Sequence, residues 1–158
     1  MATTGKLAET IFARVLKIIR ENVETKRIFK KVFESPRDEA AITEIPCVML
    51  NVASVAEKPL TDPAYVVEVT MTIELLGFVR IMDTEKQQWI GDSSTAIWRC
   101  IQALKAAFEA DHLTNLNGTC DYFTFGEATV QDGYPTKGFV LPMVIRFKEY
   151  MGDRDLRP

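Results

Sequence analysis

The segment AYVVEVTMTIELLGFVR, residues 64–80, constrains the fold more than any other part of the chain. Its odd-numbered positions from 65 to 75 are apolar, and its even-numbered positions from 68 to 74 are Glu or Thr. This period of two predicts a β-strand with one buried face. Extended over residues 65–79 the strand would reach about 50 Å, whereas an ordinary strand has about five or six residues. Such a strand either bends inside its domain or projects beyond the core.

The alternation of this strand changes near its end. At Leu75-Leu76-Gly77 the apolar residues move to the even-numbered positions, because Leu76 and Phe78 are both apolar. A β-bulge shifts the phase of a strand in this way, and glycine is common beside bulges. We therefore predict a bulge and a bend close to Gly77.

Two amphipathic helices and further strands are predicted in the rest of the chain. Apolar residues recur every three or four positions over residues 6–24 and again over residues 97–108, which predicts a helix with one buried face in each place. Short apolar runs bounded by turn residues predict strands at residues 25–34, 45–54, 120–131 and 138–150. Pro142 has no N–H and therefore predicts either an edge strand or a bulge.

The order helix, three strands, helix, two strands predicts an α+β fold. We expect a two-layer domain with a mostly antiparallel sheet of about five strands packed against two amphipathic helices. The 158 residues are expected to form a single domain, with residues 152–158 as a flexible C-terminal tail. The net charge of −3 gives no overall attraction to nucleic acid, and no segment has the apolar length of a membrane span.

Catalytic and cofactor-binding motifs are missing from the sequence. His112 is the only histidine and falls at the predicted end of the second helix, where a cation is structurally favourable. It could pair with Cys120, but the surrounding residues do not resemble an activated-thiol motif. The three cysteines lack metal-ligand spacing, and no glycine-rich phosphate loop is present. We therefore expect no enzymatic activity, no cofactor and no bound metal.

Basic and aromatic residues supply the candidate contacts with partners. The run Lys26-Arg27-Ile28-Phe29-Lys30-Lys31 is basic enough to suggest nucleic-acid affinity, with a solvated edge strand as the simpler interpretation. Trp89 and Tyr134 lie in polar loop contexts, which favours an interface role. Trp98 and the Phe123–Phe125 pair are instead expected in the core.

The ordered pattern of elements resembles the tail terminator (tail completion, minor tail) proteins of tailed bacteriophages. The elements that carry this resemblance are the amphipathic N-terminal helix, IPCVMLNV, the long two-faced strand, IWRCIQALKAAFEAD, DGYPTKG and GFVLPMVIRFKEY. The resemblance spans nearly the whole chain. It implies a structural virion protein that forms a closed ring, usually a hexamer, on the head-proximal end of the tail tube. Such a ring stops tube polymerisation and joins the tube to the neck.

The same resemblance implies partners and a location. The partners are other copies of the chain, the tail tube protein and neck or connector proteins, while DNA passes through the ring without specific binding and no membrane is involved. The location is the tail or neck of the virion, after assembly in the cytoplasm of the host bacterium.

Ring closure needs two complementary patches on each subunit. The candidates are the hairpin from Phe78 to Gln88 with Arg80 and the nearby Trp89, the loop around Tyr134, and the charged tail with Arg154. The polar strand face offers a further prediction: Glu68 and Glu74 could form a lumen wall that repels DNA, with an ordinary solvated sheet face as the alternative.

Two other classes of function are also compatible with the sequence. The chain could be another head–tail connector or the tail tube protein of the same particle, or it could be a small-molecule-binding or enzymatic α+β domain. A tube protein should stack into long filaments, and an enzyme should gather polar groups in a pocket.

Overall fold

The computed structural model describes residues 4–36, 46–61, 66–80, 82–83, 88–89, 93–110, 116, 118–131 and 136–150. Its helices are α1 (Thr4–Glu21), α2 (Val23–Ile28) and α3 (Ser93–Ala107). Its strands are β1 (Lys31–Phe33), β2 (Cys47–Pro59), β3 (Val66–Arg80), β4 (Met82–Asp83), β5 (Gln88–Trp89), β6 (Tyr122–Phe125), β7 (Thr129–Gln131) and β8 (Thr136–Tyr150). The predicted α+β fold class is confirmed. In the part of the chain described, no helix is long and apolar enough to cross a membrane.

The main sheet has six strands in the order β1, β2, β3, β8 and β6, with β7 also paired to β8. Strands β1 and β2 are parallel, and the other pairs of this sheet are antiparallel. The three central strands are long, with 13 residues in β2 and 15 each in β3 and β8. Strand β3 is paired with β8 along its whole length, so the long strand predicted from the sequence is present and does not fold back.

The predicted bulge near Gly77 is wrong. The register between β3 and β8 is unbroken, and the shift lies in β2, between Val52 and Ser54. Gly77 has a different function, because a Cβ atom built there would lie 2.1 Å from Cε1 and Cζ of its cross-strand partner, Phe139. The glycine therefore makes room for an aromatic ring in the core.

The helices cover one face of the main sheet. The odd-numbered residues of β3 from Val67 to Val79 are buried on this face, together with the odd-numbered residues of β8 from Phe139 to Phe147. The predicted apolar stripes of both long helices are confirmed by the burial of Ile11, Val15, Ile18, Ile97, Ile101, Leu104 and Phe108.

The segment predicted as a strand at residues 25–34 begins as a helix. Asn22 caps α2, since its side-chain oxygen accepts the backbone N–H groups of Glu24 and Thr25 at 3.0 and 3.2 Å. The basic run therefore starts on α2, and Lys31 is its only residue in β1.

The strand predicted at residues 120–131 is interrupted and forms β6 and β7. At the interruption the backbone N–H of Gly126 donates to the carbonyl of Pro142 at 2.8 Å. The backbone N and O atoms of a strand residue point to the same side of the strand. The N atom of Pro142 therefore points, like its carbonyl, toward the gap between β6 and β7, where its lack of an N–H removes no regular ladder bond. The predicted edge position is wrong because β8 is a central strand. The alternative, a bulge, is not seen against β3, where the register is unbroken at Pro142, while the pairing on the other side is interrupted between Phe125 and Thr129.

Candidate assembly surfaces

The outer part of β2 is the most exposed stretch of the long strands. Residues 52–59 are all exposed, whereas residues 47–50 are buried. Strand β1 pairs only with Cys47, Val48 and Met49, so beyond Met49 the outer side of β2 faces no other strand among the described residues. An open strand edge carries unpaired backbone N–H and C=O groups, which makes it a template for pairing with another chain.

A hollow of about 350 Å³ lies between α1 and this part of β2. It is lined by Ala8, Glu9, Phe12, Val52, Val55 and Met71. The side chains of Val52 and Val55 remain 45% and 50% exposed. We call residues 52–59 and this hollow the β2 surface. Exposed apolar side chains beside an open strand edge are typical of an interaction site.

A second hollow, of about 600 Å³, lies where α1, α2 and β1 meet. Its lining contains four cationic side chains and no carboxylate. We call it the basic groove, and its lining residues are Ile19, Arg20, Lys26, Phe29, Lys30, Lys31, Val32 and Phe33. The guanidinium of Arg20 donates to the carbonyl of Val32 at 2.9 Å, which anchors α1 to β1. Arg27 lies outside this lining and forms an ion pair with Glu24 at 2.8 Å.

The candidate lumen residues lie on the sheet face opposite the helices. Glu68 is half-buried and stands between Lys58 of β2 and Lys148 of β8 in the strand register. Glu74 is also half-buried and accepts a hydrogen bond from the side-chain amide of Asn51 at 3.3 Å. The face therefore carries mixed charge around these carboxylates. That they line a lumen stays a prediction.

The residues predicted as subunit contacts lie in several places. Phe78 is half-buried in a small apolar cluster on the face opposite the helices. Arg80 is the last residue of β3, and Trp89 belongs to β5. Tyr134, Arg154 and the tip of the hairpin between β4 and β5 lie outside the described residues. Their role as contacts stays a prediction.

The aromatic residues expected in the core divide into two groups. Phe123 is buried, and the Phe123 and Phe125 rings lie edge-on to Phe108, with centroid distances of 6.0 and 5.7 Å. The core position expected for Trp98 is wrong, because its side chain is 59% exposed. Trp98 follows the buried Ile97 by one residue, which is about 100° round the helix, so the phase of the α3 stripe places it on the outer side.

Cys100 and Cys120 are poor candidates for nucleophilic chemistry. Burial raises the pKa of the Cys100 thiol to about 11, with Arg99 opposing the shift. Burial also raises the pKa of Cys120 to about 11, and Asp121 adds to that shift. Both thiols are protonated at neutral pH and are therefore weak nucleophiles. His112 lies outside the described residues, and within them no group of three or more His, Cys, Asp or Glu could hold a metal ion.

These raised pKa values predict a loss of stability in alkaline solution. Because the folded chain favours the protonated thiols, they contribute to the free energy of unfolding. This contribution is complete below the unfolded pKa of 9.0 and is lost as the pH rises through the folded pKa of about 11. The free energy of unfolding is measured with urea from about pH 8 to about pH 11. As the pH rises, we expect it to fall less steeply in a variant with Cys100→Ala and Cys120→Ala than in the wild type. The two proteins differ only at the two cysteines, so equal slopes would contradict the prediction.

Comparison with known proteins gives a likeness of fold. No known protein family and no curated protein matches the chain. Among solved structures, it is similar to a chain of the "Virion of native gene transfer agent (GTA) particle", with a TM-score of 0.57 and 12% sequence identity. The likeness covers 90% of this chain and 98% of that chain. The arrangement of sheet and helices is therefore shared along nearly the full length of both.

Proposed function

We propose that this chain is a structural virion protein that acts as a tail terminator. It forms a closed ring, a hexamer by the resemblance, which caps the head-proximal end of the tail tube, stops tube polymerisation and joins the tube to the neck. It catalyses no reaction, and DNA passes through the ring without specific binding. Its place is the tail or neck of a virion assembled in the host bacterial cytoplasm. The order of the sequence elements and the fold shared with a chain of a virion particle support this proposal.

The β2 surface is the observation that carries the proposal. In an isolated chain it leaves eight consecutive strand residues exposed, beside a hollow lined almost entirely by apolar side chains. A neighbouring copy that covers this surface pairs the open backbone groups and removes Val52 and Val55 from water. A contact between unlike surfaces, repeated around an axis, closes into a ring.

Electron microscopy of the purified protein, alone and mixed with tail tube subunits of the same particle, tests the proposal. We expect discrete rings that bind only the ends of tubes and stop their growth. Long filaments formed by the chain itself would assign it to the tube instead. Monomers that ignore tube ends would contradict the proposed function.

A substitution in the β2 surface tests where the ring contact lies. Val55→Lys places a charge in the apolar contact, but its side chain is already 50% exposed, so the fold should tolerate it. We expect folded monomers with an unchanged thermal midpoint and a loss of rings in sedimentation velocity and microscopy. Val23→Lys, at a valine of α2 that is 78% exposed, is the matched control and should still form rings. Rings from the Val55 variant would exclude this contact.

A further inference from the structure

Positive and negative charges are strongly separated along this chain. Residues 17–31 contain six of the 19 Lys and Arg residues but two of the 22 Asp and Glu residues, an excess of four positive charges. Residues 106–136 contain five Asp and Glu residues and no Lys or Arg. The small net charge of −3 hides this separation. Charge that is concentrated in this way is typical of electrostatically selected association.

The fold places the described parts of the two charged segments at opposite edges of the main sheet. The basic groove lies against β1, which is one edge of the sheet, and β6 with β7 forms the other edge. Asp121 and Glu127 are exposed on either side of β6. Glu109 is exposed two residues after α3 and follows Phe108, whose ring packs on β6. We call these three carboxylates the acidic edge.

Positive charge near the acidic edge comes from the neighbouring strand β8 and from the last turn of α3. The guanidinium of Arg146, on β8, lies over the ring of Tyr122, with its central carbon 5.2 Å from the ring centroid. On α3, Lys105 lies four residues before Glu109 and is also half-buried, so two half-buried cations stand near three exposed carboxylates. The acidic edge therefore keeps a net negative charge.

The lysines of the basic groove are not neutralised within the described part of the chain. Lys26, Lys30 and Lys31 are exposed and have no carboxylate partner there. Like charges that line one hollow repel each other, and a carboxylate that enters the hollow relieves this repulsion. The groove is therefore suited to a negatively charged occupant.

Resting on the proposed ring, we propose that the basic groove of one copy binds the acidic edge of the next copy. The basic groove lies against β1, and the β2 surface lies beyond β1 along the same edge of the sheet, so one neighbour can cover both. Two basic edges repel each other, and so do two acidic edges, which disfavours a twofold dimer and favours the head-to-tail contact that a ring requires.

A protein surface is a better occupant of the groove than nucleic acid. Phe29, the aromatic residue within the basic run, is only 4% exposed and cannot stack on a base. The remainder of the chain, outside residues 17–31, carries an excess of seven negative charges that would repel a phosphate backbone. The same excess on a neighbouring copy attracts the groove.

Charge reversal in two separate variants tests this contact. The first carries Lys26→Glu, Lys30→Glu and Lys31→Glu, and the second carries Glu109→Lys, Asp121→Lys and Glu127→Lys. Each variant alone has edges of like charge, so we expect it to stay monomeric. An equal mixture should form rings in which the two variants alternate, because every groove then meets an edge of opposite charge. All six side chains are exposed, so circular dichroism should show both variants folded.

The outcomes separate this contact from the proposed ring. Association of the wild type, measured by sedimentation, should weaken roughly tenfold or more from low to high salt. If the wild type and both separate variants all form rings, the contact between the basic groove and the acidic edge is overturned, while the proposed ring still stands. A monomeric wild type would overturn the proposed ring. If, in addition, the two variants fail to associate when they are mixed, the contact between the basic groove and the acidic edge would be overturned as well. Binding of a short DNA duplex is measured for the wild type and for the first variant. If the first variant loses this binding but still forms rings, the groove is reassigned to nucleic acid.

Discussion

Replacement of Gly77 by alanine is expected to lower the free energy of unfolding by about 1–3 kcal/mol, and replacement by valine by more. The new Cβ would lie 2.1 Å from two carbons of the Phe139 ring, far inside van der Waals contact. Phe139 is 1% exposed, so its ring has no solvent-filled space to move into. The alanine variant should show a lower midpoint in urea unfolding, followed by circular dichroism, with an unchanged slope.

Gly138→Ala is the matched control for this prediction. Gly138 is also buried in the long strands and precedes Phe139, but a Cβ there would meet its nearest atom, the carbonyl oxygen of Gly77, at 3.5 Å. This is ordinary contact, so the control should change stability by less than about 0.5 kcal/mol. Similar losses from both substitutions would mean that the ring of Phe139 is not the cause.

A double substitution isolates the pair further. Phe139→Leu removes the ring that fills the space above Gly77, at its own cost in core packing. In that background Gly77→Ala should cost less than it does in the wild type. A coupling energy near zero would contradict a direct contact between positions 77 and 139.

The error about the bulge shows what a local pattern can and cannot predict. The alternation over residues 65–75 predicted β3 because one of its faces is buried along the whole strand. At Leu76 and Phe78 the opposite face also becomes apolar, because these side chains pack on Cys47 and Met49 of β2. A strand that is apolar on both faces loses its alternation without any change of register. The sequence change near Gly77 thus reflects a second cluster and not a bulge.

The short helix α2 was missed although a local signal for it exists. Asn22 is a favoured N-cap residue, and its side-chain oxygen accepts the backbone N–H groups of Glu24 and Thr25 at the start of the helix. The alternation of apolar and basic residues farther along the run suggested a strand over the whole segment. The capping signal at Asn22, directly after α1, would have divided the segment correctly.

The candidate assembly surfaces depend on strand order, which sequence patterns do not give. The separation of charge between residues 17–31 and 106–136 can be counted in the sequence. The position of their described residues at opposite edges follows only from the order β1, β2, β3, β8 and β6, which is set by long-range pairing. The open edge of β2 likewise depends on the short length of β1, which covers only three residues of it.

Phe108→Ala is expected to have the largest effect on stability of any single substitution considered, a loss of about 3–5 kcal/mol. The Phe108 side chain is 0% exposed and joins the end of α3 to β6 through its edge-on contacts with Phe123 and Phe125. Such a loss is a large part of the roughly 5–15 kcal/mol that stabilises an ordinary domain, so urea unfolding should show a much lower midpoint. Trp98→Ala, in α3, removes a larger ring that is 59% exposed and should cost less than about 1 kcal/mol. The helical periodicity of the α3 stripe places Phe108 in the core and Trp98 at the surface. Equal losses of stability from the two variants would contradict this assignment.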